Sequence, residues 1–216
     1  MINNVGHRVG WKPYHEMNAH YIKDVIATGT IIQSRLTHMA IPFFLKRKRN
    51  DKKSALINIT AQCMHPNFLF GITVSNEISV PYLSVYEAAN AFGFYHANSI
   101  YKEYQGYFDI LNITPGAVIT NNTTCLSDTL FNVSSATFVE NIMKMIGNVQ
   151  GHTCAYWGHA LSSYLINFMP LMKDNMLKKV GETISSDFMK NVSATNAGGN
   201  SGDRVDKYKI EDNLLF

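Results

Sequence analysis

Short β-prone apolar runs recur at wide spacing along the chain: "MINNVG" at 1–6, "SALINIT" at 54–60 and "YFDILNITPG" at 107–116. Each runs into turn-forming residues, and the stretches between them repeat apolar residues every three to four positions. Residues 21–45 carry Val25, Ile26, Ile32, Leu36, Met39 and Ala40 at that helical spacing, and 82–104 form a second helix rich in alanine and aromatics. The pattern predicts a further helix over 136–148, a last strand in "TCAYWG" at 153–158, and an apolar helix over 161–180 with Pro170 in or near a kink. Buried strands alternating with long helices close most simply as a parallel sheet with right-handed crossovers. The expected fold class is therefore α/β: a parallel sheet flanked by helices. From Gly181 onward the chain turns polar, and "SATNAGGNSGD" reads as flexible. One domain over 1–183 and a polar tail over 184–216 are expected.

Composition supports a packed core and narrows the partners. Hydrophobic residues make up 46% of the chain and charged residues 16%, which excludes a disordered chain. The net charge of +3 is too small an excess to imply nucleic acid, and the aromatics do not alternate with basic residues as a single-strand binder requires. Six of the 19 basic residues sit in "KRKRNDKK" at 46–53, which reads as a solvated loop between a helix and a strand. Cys63, Cys125 and Cys154 are odd in number and form no CxxC pair, as in a reducing compartment. Asn-x-Ser/Thr triplets begin at Asn58, Asn112, Asn121, Asn122, Asn132 and Asn191, but 21 asparagines make such triplets frequent by chance. No apolar run reaches the ~18–20 residues that span a bilayer, so a soluble or peripheral chain is expected.

Several chemistries are missing from the motifs. In "HEMNAH" at 15–20 the histidines stand five apart, whereas a zinc protease needs i and i+4 on one helical face. No metal site is expected. There is no phosphate loop ending in GK[ST], no G-x-G-x-x-G after a strand and no G-x-S-x-G elbow.

Five segments in fixed order carry a resemblance: "INNVGH" (2–7), "SALINIT" (54–60), "VPYLSVYEAANAF" (80–92), "NITPGAVIT" (112–120) and "ATFVENIMKMIG" (136–147), with "CAYWGHALSSYLINFMP" (154–170) matching more loosely. Over roughly residues 1–180 the chain resembles the short-chain dehydrogenase/reductase superfamily. Within it, the similarity is to the 17-beta-hydroxysteroid dehydrogenase / very-long-chain 3-ketoacyl-CoA reductase branch.

The resemblance implies a partial doubly wound, Rossmann-like parallel sheet that lacks the family's first strands, with NADP(H) across the carboxyl ends of the strands. Asn3, Asn4 and Gly6 match a turn lining the cofactor groove. Pro115, Gly116, Val118 and Thr120 match the turn that meets the nicotinamide end. Tyr86 matches the catalytic tyrosine that protonates the carbonyl oxygen during hydride transfer. A free phenol has a pKa near 10, which the family lowers with a lysine one helical turn on. Here that position is Asn90, which keeps an amide able to bond the ribose. The family serine falls on Ala61, with neighbouring Thr60 expected on the opposite face, and the helix asparagine falls on Gly29. An insertion around 62–76 brings Thr73 to the family's serine spacing. The family's first strands and their glycine-rich phosphate turn would precede residue 1, so NADP(H) binding is expected to be weakened.

These matches imply an NADP(H)-dependent reductase acting on a ketone of an acyl-CoA or steroid-like substrate, weakened or inactive. The alternative is a non-catalytic relative serving as a binding or scaffold protein, or an incomplete gene product. The implied partner is a small lipid-like molecule, and a homodimer or peripheral membrane contact through 159–172 is open. The implied location is the cytoplasmic face of the endoplasmic reticulum, or the cytoplasm.

Overall fold

The computed structural model describes residues 1–7, 10–61, 67–69, 72–74, 79–120, 123, 127–168, 175–183 and 185–187. Strands β1 (Ile2–Asn3), β2 (Ala55–Ile59), β5 (Asp109–Ile113) and β8 (Gly151–Thr153) form a sheet in the order β1-β2-β5-β8, every pair parallel. Helix α1 (Ala19–Ile26) continues through a wide π turn (Ala27–Ile32) into α2 (Gln33–Arg49), which crosses from β1 to β2. Helix α3 (Ser84–Tyr104) links β2 to β5, and α4 (Ser135–Met145) precedes β8. Helix α5 (Trp157–Phe168) follows β8. The parallel α/β architecture read from the strand–helix alternation is the architecture observed.

Strand alternation divides the core. Ile57, Leu111 and Ile113 face α4 and pack with Phe138 and Ile142. Leu56 and Ile110 share the other face with Ile41 of α2 and Phe108. The same face carries a row of asparagines in register, Asn3 beside Asn58 and Asn58 beside Asn112. Asn3 Nδ2 donates to Asn58 Oδ1 at 3.4 Å, Asn58 Nδ2 to Asn112 Oδ1 at 3.1 Å, and Asn112 Nδ2 to Asn98 Oδ1 of α3 at 3.2 Å. The three strand asparagines are 1–2% exposed. Buried amides in such a position are tolerated only when they satisfy one another. The triplets beginning at Asn58 and Asn112 therefore belong to the sheet interior and not to the surface.

The long helical stretch predicted over 21–45 runs from Ala19 to Arg49, with the π turn near its middle. Hydroxyls answer carbonyls along this turn: Thr28 Oγ1 donates to the Asp24 carbonyl at 2.7 Å, Thr30 to Ile26 at 2.6 Å and Ser34 to Thr30 at 2.8 Å.

Two expectations are corrected. The last strand is not "TCAYWG": β8 ends at Thr153, because Ala155 takes a left-handed conformation (φ 58°) that breaks an extended run. The following helix starts at Trp157, four residues earlier than expected, and residues 175–183 are again helical. Pro170 lies outside the described residues. The extra residues after Ala61 include an antiparallel hairpin, β3 (Asn67–Leu69) with β4 (Ile72–Val74). Thr73 lies in β4, and its side chain is outside the described atoms. Within the expected tail, Ser185 Oγ donates to the Trp11 carbonyl at 3.1 Å, and residues 188–216 lie outside the described residues.

Candidate active site

Parallel strands bring the segments that follow them to one end of the sheet. β1 runs into Asn4, Val5 and Gly6, and β2 into Thr60, whose N–H donates to the Ile113 carbonyl of β5 at 2.9 Å. Between these ends and α3 lies a cavity of about 100 Å³. Tyr86 and Asn90, one turn apart on α3, line it together. Asn4, Gly6 and His7 line the β1 side, and Gly29, Gln33 and Thr60 the α2 and β2 sides. Tyr86 thus lies at the carboxyl end of the sheet, where open α/β folds bind ligands. Among the described lining residues the titratable groups are the Tyr86 phenol and the His7 imidazole; none is a lysine or arginine.

The three substituted positions have different physical standing. Asn90 Nδ2 donates to the Tyr86 carbonyl at 2.8 Å, so one end of its amide is engaged in its own helix. Gly29 sits in the π turn against α3, and a Cβ there would stand 2.7 Å from Ala89 Cβ. The helices approach too closely for an asparagine at position 29 without displacement. Ala61 does not line the cavity, whereas Thr60 does. This corrects the expectation for Thr60. It falls on the same side of the strand as Leu56 and Asn58, and its Cγ2 lies 2.9 Å from where a Cβ on Gly93 of α3 would be.

Gln33 was not singled out in the sequence. It is buried and follows Gly29 by one helical turn, and its amide packs against Gly93 beside Thr60. The signal was faint: a polar stripe of Gln33 and Thr37 on the face of α2 that otherwise buries Ile41.

The site residues expected to bind cofactor fall in two places. Asn4 and Gly6 reach the cavity, whereas the Asn3 side chain is held inside the sheet by Asn58. Pro115 and Gly116 form the turn after β5, and Val118 opens β6 (Val118–Ile119), which pairs with β7 (Val133–Ser134). Thr120 follows, its N–H donating to Thr123 Oγ1 at 2.8 Å. The Pro115–Gly116 turn is fastened by His159 of α5, another residue the sequence did not single out. The Gly116 N–H donates to His159 Nδ1 at 3.1 Å, and His159 Nε2 lies 3.2 Å from the Ala117 carbonyl.

Glu87, next to Tyr86, turns into the protein and is 5% exposed. Its Oε1 accepts from the Val80 N–H at 2.8 Å, tying the approach segment to the start of α3. Burial raises its carboxyl to about 7, and the Val80 hydrogen bond only partly offsets this. Among the described residues no group of three or more His, Cys, Asp or Glu side chains could hold a metal. No helix among them is long and apolar enough to cross a membrane.

No family model matches the chain. Over 176 residues it is 26% identical to the human very-long-chain 3-oxoacyl-CoA reductase and 27% identical to the bovine one, covering 79% of this chain and 50% of each relative. The chain thus spans about half the length of these relatives. Among solved structures, its fold matches a 3-ketoacyl-(acyl-carrier-protein) reductase from Brucella melitensis complexed with NADH. That match has a TM-score of 0.56 and 12% identity, covering 70% of this chain and 62% of that one. A short-chain dehydrogenase from Sphingobium yanoikuyae in complex with NADPH matches at a TM-score of 0.54 and 18% identity, over 70% and 55% of the two chains.

Proposed function

We propose that this chain, a relative of the short-chain dehydrogenases/reductases, is a nicotinamide-dependent carbonyl oxidoreductase with attenuated turnover. One observation carries the reading: Tyr86 opens onto a polar cavity at the carboxyl end of a parallel sheet, together with Asn4, Gly6, Thr60 and Asn90. NADP(H), the cofactor favoured here, supplies the hydride when bound. Asn4, Gly6 and the Asn90 amide line the cavity and would hold its nicotinamide and ribose end, and the resemblance adds the Pro115–Gly116 turn, whose Gly116 N–H is taken by His159. The described residues contain no glycine-rich turn at a helix N-terminus that would take the pyrophosphate.

Tyr86 donates the proton to the carbonyl oxygen in reduction and receives it in oxidation. Thr60 and Gln33 offer a hydroxyl and an amide in the same cavity, able to orient a carbonyl oxygen or a water. They are proposed to act where the family uses the serine and the asparagine. Position 90 supplies an amide and no cation one turn from the phenol, so it gives the proton transfer no electrostatic assistance. That absence, with the Asn90 amide turned to the Tyr86 carbonyl, favours slow turnover over full activity.

The favoured substrate is a ketone on an apolar carrier, a 3-oxoacyl-CoA or a steroid-like ketone, and the favoured setting is the cytoplasmic face of the endoplasmic reticulum. The relatives' names support the 3-oxoacyl-CoA, and the resemblance alone supports the steroid-like ketone and the setting. The test is NADPH consumption with long-chain 3-oxoacyl-CoA and with a steroid ketone. Slow reduction that drops by a factor of about 10² or more in Tyr86→Phe supports the reading. Reduction at the same rate in Tyr86→Phe removes Tyr86 from the chemistry, and a complete absence of reduction leaves a nicotinamide-binding relative without catalysis.

A further inference from the structure

The turn after β5 is the part of the proposed cofactor site whose backbone groups can be followed almost one by one. The Thr114 N–H donates to the Thr153 carbonyl at 3.0 Å, and Pro115 has no N–H to place. The Gly116 N–H goes to His159 Nδ1, and the Ala117 carbonyl accepts from the Val133 N–H at 3.2 Å and lies within reach of His159 Nε2. One imidazole therefore touches two successive residues of the turn, from a helix more than forty residues later in the chain.

Donor and acceptor chemistry fixes the state of that imidazole. A backbone N–H can only donate, so Nδ1 must present a lone pair to Gly116; a carbonyl can only accept, so Nε2 must carry the proton toward Ala117. His159 is thus held as the neutral Nε2–H tautomer. The ring is fully buried between Tyr156 and Phe138, with ring centroids 5.0 Å and 5.6 Å away. Burial holds its pKa below the usual histidine value, outweighing the Ala117 and Cys154 carbonyls beside the ring, which raise it, in agreement with the neutral form.

The first turn of α5 is located by its own constraints. Ala155 sits at φ 58° with its N–H on Thr153 Oγ1 at 3.1 Å. Gly158 lies so near the Leu130 carbonyl that a Cβ there would collide with it. These contacts fix where residue 159 stands before its ring meets the turn.

We propose that His159 is a positioning residue for the Pro115–Ala117 turn, setting the direction of the Gly116 N–H and the Ala117 carbonyl and so the shape of the nicotinamide end of the site. Its relevance to cofactor rests on the function proposed above; its hold on the turn does not. Three variants divide the two hydrogen bonds. His159→Asn places an amide oxygen near Nδ1 and keeps an acceptor for Gly116. His159→Gln places an amide N–H near Nε2 and keeps a donor for Ala117. His159→Leu fills the aromatic pocket and keeps neither.

The test reads amide hydrogen exchange at Gly116 and along β5 by NMR, together with NADPH affinity by calorimetry. In His159→Leu the Gly116 amide is expected to exchange at least about tenfold faster while Ile110–Ile113 stay protected, and NADPH binding to weaken about tenfold. His159→Asn should recover Gly116 protection, and His159→Gln should not. Unchanged exchange and affinity in His159→Leu overturn the proposal. So does equal loss of Gly116 and β5 protection in all three variants, which marks a purely structural core residue. If His159→Leu does not fold, the contrast between His159→Asn and His159→Gln at Gly116 decides. If the wild-type chain binds no NADPH but Gly116 exchange follows this order, the hold on the turn stands and the cofactor reading falls.

Discussion

The two halves of the proposed site are supported to very different degrees. At the turn after β5, a buried histidine, a backbone ladder and a close-packed glycine fasten the chain from α5. Around Tyr86, the positions expected to supply a cation, a serine hydroxyl and an asparagine hold Asn90, Ala61 and Gly29. Even there the substitutions are not equivalent. Asn90 lines a cavity and has space around it, while Gly29 is closed by Ala89. Losses at a site of this kind fall into two sets: those that a side chain can restore, and those that the packing around them now requires.

The largest expected effect breaks this comparison at Gly29. Gly29→Asn, which puts the family residue back, should lower stability by about 3 kcal/mol through overlap with Ala89, without raising activity. In a chain of this size the melting temperature then falls by about 2–4 °C per kcal/mol. A folded variant of wild-type stability would show that Gly29 is an open loss like Asn90.

Cutting the asparagine row comes next. Asn58→Leu leaves the Asn3 donor and the Asn112 acceptor buried without their partner, at an expected cost of about 2 kcal/mol in chemical denaturation. No change would mean that the row adds nothing to the sheet that positions Asn4 and Thr60. At the open position, Asn90→Lys should raise ketone reduction about tenfold, a barrier change of about 1.4 kcal/mol, and shift the pH–rate profile toward neutral. A rate at or below wild type would place the deficit elsewhere.

The smallest effect is at Glu87. Its folded pKa of about 7 lies above the ordinary glutamate value of about 4.5, so the native state holds a proton that the unfolded chain releases. This contribution is fully present below about pH 4.5 and is lost as pH rises through about 7. Glu87→Gln keeps an acceptor for the Val80 N–H and should flatten the fall in melting temperature between about pH 5 and pH 8, by a few degrees. An unchanged slope would remove Glu87 as its source.

Much of the sheet was legible because its strands are apolar and end in turn residues. β2 and β5 fall within "SALINIT" and "DILNIT", and α3 starts within two residues of its expected position. β8 was displaced because the end of a three-residue strand is set by the left-handed Ala155, which leaves no trace in hydrophobic spacing. The π turn was not visible either, although Thr28, Thr30 and Ser34 supply the hydroxyls that bond its carbonyls. Tyr86, Asn90, Asn4 and Gly6 were found through motif order, and the structure brings them to one cavity. Thr60 was misread because its motif neighbour Ala61 took the catalytic assignment, while strand alternation turns Thr60 toward α3. Gln33 left only the faint polar stripe it forms with Thr37, and His159 left no spacing signal, since each acts on a segment distant in the chain.

In the function proposed above, the cofactor half of the site persists while its proton-transfer half is weakened. Calorimetric titration of the wild-type chain and of Tyr86→Phe with NADPH tests it most directly. Saturable binding below about 1 mM, with the same affinity in both proteins, is the expected result. No binding to the wild-type chain at millimolar NADPH would contradict the claim.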